Sequence, residues 1–527
     1  MNSIFDIRQY MPAQNSPTKI TDVIQQAIDA AHQTGGGIVF IPAGRYSCGT
    51  LHLKSNITLE FAPGAELEMH SDEDEFDPGE ELDYDSHADF ETTYFRFSLI
   101  QIIDCENVRI QGPGILSNTY YKRGGPKPIA VKNSSRVTIR DIQIINAPNY
   151  ALSIMNSEFI IIDSVHIEGA QADGIDLDNT RNARVNNCFI DAWDDGICLK
   201  TSPALGYVSS TKYITVTNCI IASSCNAFKM GTESSGDCNH VTFSNSVIIP
   251  RKSARKAMAG IALESVDGSH IRAFEISNIV IDGAYCPIFL RLGNRGRAQS
   301  EPTPGCIEDI QIANITVTDA GFPCIIAGIP DFPIRHVSLN HLRIRYSAEM
   351  SNPRIPSKDE IVPQRPPLRD KDTDPFQVPE LEDHYPEADM FGPLPTWGFY
   401  ARHVYGLSLN QCEIHQTESA VDSRKTNIGM YLEKVNCSVI QQLQIIPKCI
   451  SNSKNEQVAL IWGKNLQNAC IQLIARSKWD HSSVHLAGKE TKSVNIELIQ
   501  ADQNNHQNVV LDPEIMKTNI NVRMILF

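Results

Sequence analysis

The sequence predicts a parallel β-solenoid. Short alternating apolar segments recur along the chain, at intervals of about 21 to 30 residues, with no helix-period pattern between them. The copies include NVRIQG from Asn107, RVTIRDIQIINA from Arg136, FIIIDSVHIEGA from Phe159, NARVNNCFIDA from Asn182, YITVTNCIIAS from Tyr213 and HVTFSNSVII from His240. HIRAFEISNIVIDGA from His270 continues the series, followed by IEDIQIANITVTDA, IRHVSLNHLRI and VYGLSLNQCEI. One such turn cannot bury its inner face alone, so the turns must stack. Asn at recurring positions suits left-handed bends and side-chain ladders between coils. A β-sandwich is the competing architecture, but sandwiches rarely sustain one motif for so long.

The elements follow in order. Residues 21–32 (TDVIQQAIDAAH) place Val23, Ile24, Ala27, Ile28 and Ala31 on one helical face, and Gly35, Gly36 and Gly37 end that helix. Its expected role is to cover the open edge of the first coil, which would otherwise invite pairing with another chain. Residues 18–45 thus form an N-terminal cap and first coil, with strands at GIVFIPAGRY and NITLEF. Two segments break the rhythm: a strongly acidic loop at 72–91, and a proline-rich excursion at 346–398 that holds ten of the 29 prolines. Insertions on a solenoid gather on one face, often the binding face, so the excursion is expected over a groove. Stacked repeats extend one core, so residues 1–527 are read as a single domain.

Composition narrows the function. The chain has 527 residues, with 46 Lys plus Arg against 62 Asp plus Glu, a formal charge of -16. An acidic chain is a poor partner for nucleic acid, whose affinity comes mainly from cationic contacts. No stretch approaches 18 uninterrupted apolar residues, so no membrane span is expected. The N-terminal MNSIFDIRQYMPAQ has no apolar core of a signal peptide, which points to the cytoplasm unless a leader has been removed. The 14 cysteines are scattered and show no zinc-site spacing, as expected for reduced, mostly buried thiols.

Chemistry concentrates in ADGIDLDNTRNARVNNCFIDAWDDGICLKTS, which carries Asp173, Asp176, Asp178, Asp191, Asp194 and Asp195. Asp173 precedes Asp194 by about one coil, and neighbouring coils lie roughly 4.8 Å apart. Asp173, Asp194 and Asp195 can therefore converge on one groove. Carboxylates that close push one pKa up, leaving a protonated acid beside ionised partners. Glycoside hydrolysis needs such a set: one acid to protonate the leaving oxygen and one carboxylate to activate water or attack. Turn-forming aspartates and a Ca²⁺ site are the alternatives.

The order ADGID, WDDGICLK, CNAFKMGTES and GIALES resembles the pattern of glycoside hydrolase family 28, the polygalacturonase group. That family shows NTDG, a GDD motif, GHG followed by GS, and RIK, on a right-handed single-stranded parallel β-helix. The segments AAHQTGGGIVFIPAGRY and GTLHLKSNITLEFAPGAEL are similar to bacterial members. The resemblance implies that Asp194 is the general acid, that Asp173 and Asp195 position and deprotonate water, and that the anomeric centre inverts. It implies no cofactor and no metal.

The departures from that pattern are informative. Asn226 stands where the family has the His of GHG, and Ala262 and Glu264 stand where it has the Arg and Lys of RIK. Those two cations are the expected clamp on a galacturonic acid carboxylate. Lys200, Lys229, Glu233, Arg291, Arg402 and His403 are candidates to line the groove instead, with Arg295 and Arg297 close by in sequence. Trp193 and Trp397 are candidates for stacking on a sugar, although packing is the commoner use of either.

The reading is a glycosidase acting on a plant or microbial cell-wall oligosaccharide, such as a pectin-derived one, with a neutral sugar favoured at the cleaved residue. The rivals are a calcium-dependent polysaccharide lyase and a non-catalytic carbohydrate-binding solenoid.

Overall fold

A computed structural model gives the structure of the protein and describes residues 4–12, 19–253, 255–347, 373–417, 426–447, 457–475, 482–500, 509–515 and 520–526. It contains two compact units, 1–246 and 247–527. Each is a right-handed stack of parallel β-coils.

The helix forms at Ile20–Gln33 and buries Val23, Ile24, Ala27, Ile28 and Ala31, the face read from the sequence. Gly35 and Gly36 follow with positive φ, a conformation that suits glycine. The helix ties itself to the edge of the first coils. Thr21 Oγ1 accepts the Gly49 N–H at 2.9 Å, and Gln25 Oε1 accepts that of His52 at 2.9 Å.

In the first unit each complete coil contributes three short strands, and each strand pairs in parallel with its equivalent one coil on. The registers stack like residues. Ile110, Ile139, Ile162, Val185, Val216 and Phe243 form one continuous column, every member fully buried. The recurring Asn residues do what the pattern implied. Asn133, Asn156 and Asn187 have positive φ, and Asn156 Nδ2 donates to Asn133 Oδ1 at 2.8 Å.

In the second unit the strands are longer and fewer per coil: His270–Ile281, Cys306–Ala320 and Ile334–Tyr346 bend around two sides of the core. Phe274, Ile310, Val337 and Leu407 stack in register there. Of the proline-rich excursion, residues 348–372 lie outside the described residues.

Candidate active site

The site lies at the ends of two adjacent short strands of the first unit. Ile175–Asp178 pairs with Ile197–Thr201, Asp176 facing Cys198 and Asp178 facing Lys200. That offset is 22 residues, so Asp173 aligns with Asp195 rather than with Asp194, as the 21-residue spacing had suggested. The next strand continues the column, with Ile197 opposite Phe228 and Cys198 opposite Lys229, which sets Asn226 beside Asp195. Asp194 flanks this column in the turn.

Hydrogen bonds fix each carboxylate. Asp173 Oδ1 accepts the Asp195 backbone N–H at 3.1 Å. Asp195 Oδ1 accepts from the Asn226 backbone at 3.0 Å and from its side-chain amide at 2.8 Å, while Lys229 pairs with Oδ2 at 2.9 Å. Asn226, at the position of the family's His, therefore orients Asp195. Carboxylate oxygens of Asp173 and Asp195, and of Asp194 and Asp195, approach within 4.8 Å.

Lys200 stands at the centre of the acids. Its Nζ lies 2.8 Å from Asp176, 3.2 Å from Asp173 and 3.6 Å from Glu233, and donates to Tyr150 Oη at 3.1 Å. Burial opposes its charge, but Asp176, Tyr150 and Asp173 hold its proton well above the ordinary lysine range. One ammonium cannot neutralise all of these carboxylates. Burial raises Asp173 well above the usual carboxylate range despite Lys200, with Asp194 and Asp195 adding to the effect. Burial also raises Asp176, and Asp178 up to about 7. Lys127, enclosed by the Tyr94, Phe95 and Tyr150 rings, is pushed down to about 7 by the same loss of water.

Asp194 behaves in the opposite way. Burial raises it, but Arg123, followed by Lys229, carries it below the ordinary range. Arg123 Nη1 donates to Asp194 Oδ2 at 2.8 Å, and Nε and Nη2 bind Glu91 at 3.1 and 2.8 Å. The acidic loop thus reaches the site: Glu91 anchors Arg123, and the Asp89 N–H and Thr92 hydroxyl donate to Glu233, each at 2.8 Å. Burial thus favours the neutral form of Asp173, and Arg123 favours the ionised form of Asp194.

The sequence reading named Asp173, Asp194, Asp195, Asn226, Lys200, Lys229 and Glu233, and the structure brings these together. Lys200, Lys229 and Glu233, expected to line the groove, are buried and engaged with protein groups. The reading named the acidic segment 72–91 but not Glu91 itself, which lies in the short helix Phe90–Thr93, and it missed Arg123 in a turn and Tyr150 before a strand of an earlier coil, none of which carries a periodic signal. Trp193, expected to pack, is 39% exposed beside Asp194, whereas Trp397 is buried edge-on against Tyr346.

The remaining candidates belong to the second unit. Glu264 is fully buried and in register with Arg291. Arg291, expected to line a groove, is buried and donates to the carbonyls of Gly328, Glu380 and Leu381 at 3.1, 2.6 and 3.0 Å. Arg402 donates to the Val378 carbonyl at 2.8 Å and pairs with Glu380 and Glu433, and His403 contacts Glu380 at 3.0 Å. These three side chains hold segment 378–381 against the coils. Arg295 forms a two-bond pair with Asp267, and Arg297 lies 3.6 Å from the same carboxylate.

Comparison with known proteins agrees with this architecture. A family model for a right-handed β-helix region matches residues 83–248. A probable polygalacturonase of Vitis vinifera is 22% identical over 339 residues, 60% of this chain and 68% of that protein. An exo-poly-alpha-D-galacturonosidase of Dickeya chrysanthemi is 26% identical over 264 residues, 37% of this chain and 41% of that protein. The exopolygalacturonase structure from Thermotoga maritima superposes with a TM-score of 0.57 at 18% identity, covering 66% of this chain and 88% of that one. The family 28 exopolygalacturonase of Yersinia enterocolitica gives a TM-score of 0.57 at 15% identity, over 89% and 79% of the two chains. These structural likenesses carry the fold. Among the described residues no helix is long and apolar enough to cross a membrane.

Proposed function

We propose that the chain belongs with the polygalacturonase-like proteins of glycoside hydrolase family 28 and hydrolyses a glycosidic bond in a pectin-derived oligosaccharide. Asp194 gives a proton to the leaving oxygen, and Asp173 with Asp195 hold the attacking water and take its proton. The observation that carries this reading is the aligned pair Asp173 and Asp195 with the more accessible Asp194 beside it, each neighbouring pair within 4.8 Å. Acid and base must touch the substrate, and the Asp194 side chain, 27% exposed, is the member that can reach a leaving group.

The resemblance implies inversion. Trp193 offers a partly exposed ring for stacking on a sugar next to the acid.

A product assay over pectic and hemicellulosic oligosaccharides tests the proposal. Reducing ends should appear from galacturonate-containing chains, with proton NMR showing the inverted anomer first. A product with ultraviolet absorbance marks a lyase instead, and binding without turnover marks a carbohydrate-binding scaffold. We propose further that the trimming takes place inside the cell, on imported oligosaccharide. Fractionation of cells producing the full-length protein tests that location.

A further inference from the structure

Arg123 lies in the turn between strands Ile115–Ser117 and Lys127–Lys132. Its side chain is 47% exposed, against 7% for Lys200 and 3% for Lys229, so it is the cation of this cluster that a ligand can reach. Its fork is asymmetrically engaged: two nitrogens bind Glu91 and one nitrogen binds Asp194. The single bond is the weaker attachment, and its partner is the proposed proton donor. Positions 262 and 264 meanwhile lack the cations that the family pattern places there.

We propose that Arg123 is the receptor for the carboxylate of an acidic sugar ring, and that this carboxylate displaces Asp194 from the guanidinium. The inference rests on the glycosidase reading above. Displacement exchanges one carboxylate for another, so Arg123 keeps its charge partner while Asp194 is released. Asp194 then takes one proton from solvent and passes it to the leaving oxygen as the glycosidic bond breaks. The attacking water forms the new bond to the anomeric carbon and loses its proton to the base carboxylate, which returns it to solvent. One water is consumed and no charge is left over. A neutral sugar cannot compete with Asp194 for Arg123, so the acid stays ion-paired. This replaces the neutral-sugar expectation, which rested on positions 262 and 264 and not on the turn that carries Arg123.

The test compares kcat/KM on a free-acid oligogalacturonide and on its amidated, neutral counterpart for the wild type, Arg123→Ala and Arg123→Lys. A charged hydrogen bond of the usual strength gives the wild type about a ten- to hundredfold preference for the acid. Arg123→Ala should lose that preference through the acid substrate, and Arg123→Lys should regain part of it, having charge without the fork. The alkaline limb of kcat/KM should also move to higher pH in Arg123→Ala. Lys229, Lys200, Asp173 and Asp195 still face Asp194 in that variant, and Glu91 still faces the vacated position. An unchanged preference in Arg123→Ala, or equal use of both substrates by the wild type, overturns the inference. Should Arg123→Ala not fold, the wild-type comparison and Arg123→Lys still decide it. Cleavage of neither substrate by the wild type overturns the glycosidase reading instead.

Discussion

The two units use buried charge differently on the same kind of coil. In the first, Lys200 and Lys229 meet carboxylate side chains, and the acids outnumber them. Asp173, Asp176 and Asp178 are driven toward their protonated forms, while Asp194 is held ionised by Arg123. In the second, Arg291 meets backbone carbonyls, two of them from a returning loop, while Arg402 meets the Val378 carbonyl as well as the Glu380 and Glu433 carboxylates, and Asp267 and Glu380 are held ionised despite burial, by Arg295 for one and by His403 with Arg402 for the other. The first arrangement favours the neutral form of buried carboxylates near an accessible acid. The second is closed on itself and serves as a fastening. Buried charge alone therefore does not mark a catalytic centre; an imbalance of charge beside a half-exposed group does.

The sharpest way to break this comparison is to remove the accessible acid. Asp194→Asn should lower turnover by about two to four orders of magnitude, the usual range for a lost general acid. The melting temperature should hold, because Arg123 keeps its two bonds to Glu91. Normal turnover in a folded Asp194→Asn protein would remove Asp194 from the mechanism.

The fastening in the second unit should fail in stability. Arg402→Met removes the charge facing Glu380 and Glu433 and the bond to the Val378 carbonyl. Breaking a buried pair in this way costs about 3–5 kcal/mol, reduced here because Glu380 is partly exposed and His403 still holds it. Denaturant unfolding should show the loss, and proteases should cut more readily within 373–398, with KM unchanged. A raised KM at unchanged stability would return Arg402 to the substrate-binding role that the sequence suggested.

Much of this contrast was legible in the sequence, and its limits have physical causes. The alternation that marks the coils comes from one buried face, so strands and the capping helix could be read directly. Asp173, Asp194 and Asp195 could be found because they stand in turns bordering that pattern. What the pattern cannot give is register between coils of unequal length: 22 residues separate Asp173 from its partner Asp195, but 31 separate Asp195 from Asn226. Nor can it show what a cation meets. Lys200 and Arg291 look alike in sequence, yet one faces carboxylates and the other carbonyls. Arg123 lies in a turn with no period at all, and only the folded loop brings it to Asp194.

Acid should separate the two units by sign. Asp178 has a folded pKa of about 7 against an ordinary 3.8, so the native state binds the extra proton between those values. Its contribution to stability is present at low pH and falls as pH rises toward 7, by up to about 1.4 kcal/mol per pH unit. Asp173 and Asp176 act in the same direction. Asp267 and Glu380 are lowered, so their contribution is complete above the unfolded value and is lost only as pH falls below about 4. Hydrogen exchange, corrected for intrinsic rates, should show Ile175–Asp178 and Ile197–Thr201 better protected at pH 5 than at pH 7. Ala284–Leu292 and Phe399–Asn410 should not change over that interval. A parallel response in both sets would mean that the carboxylates of the first unit are ordinary ones.

The smallest expected effect is none, from chelation, and its reason lies in the same contrast. A divalent cation among carboxylates needs several ionised oxygens free to surround it. In the first unit those places are taken: Lys200 lies within 3.6 Å of Asp173, Asp176 and Glu233, and Lys229 lies 2.9 Å from Asp195. A further cation would meet two buried ammonium groups at close range. Acid–base hydrolysis by these residues needs no metal, so exhaustive dialysis against EDTA should leave both kcat and KM where they were. A calcium-dependent lyase behaves in the opposite way, losing its rate to the chelator and recovering it with Ca²⁺. Adding Lys200→Met sharpens the test, since removing an ammonium vacates a place between carboxylates. If Ca²⁺ shifts the melting temperature of that variant and not of the wild type, the lysine occupies the place that a metal takes in the lyase design. If EDTA silences the wild-type enzyme and Ca²⁺ restores it, the lysines do not exclude metal, and the acid–base assignment of Asp173, Asp194 and Asp195 falls with them.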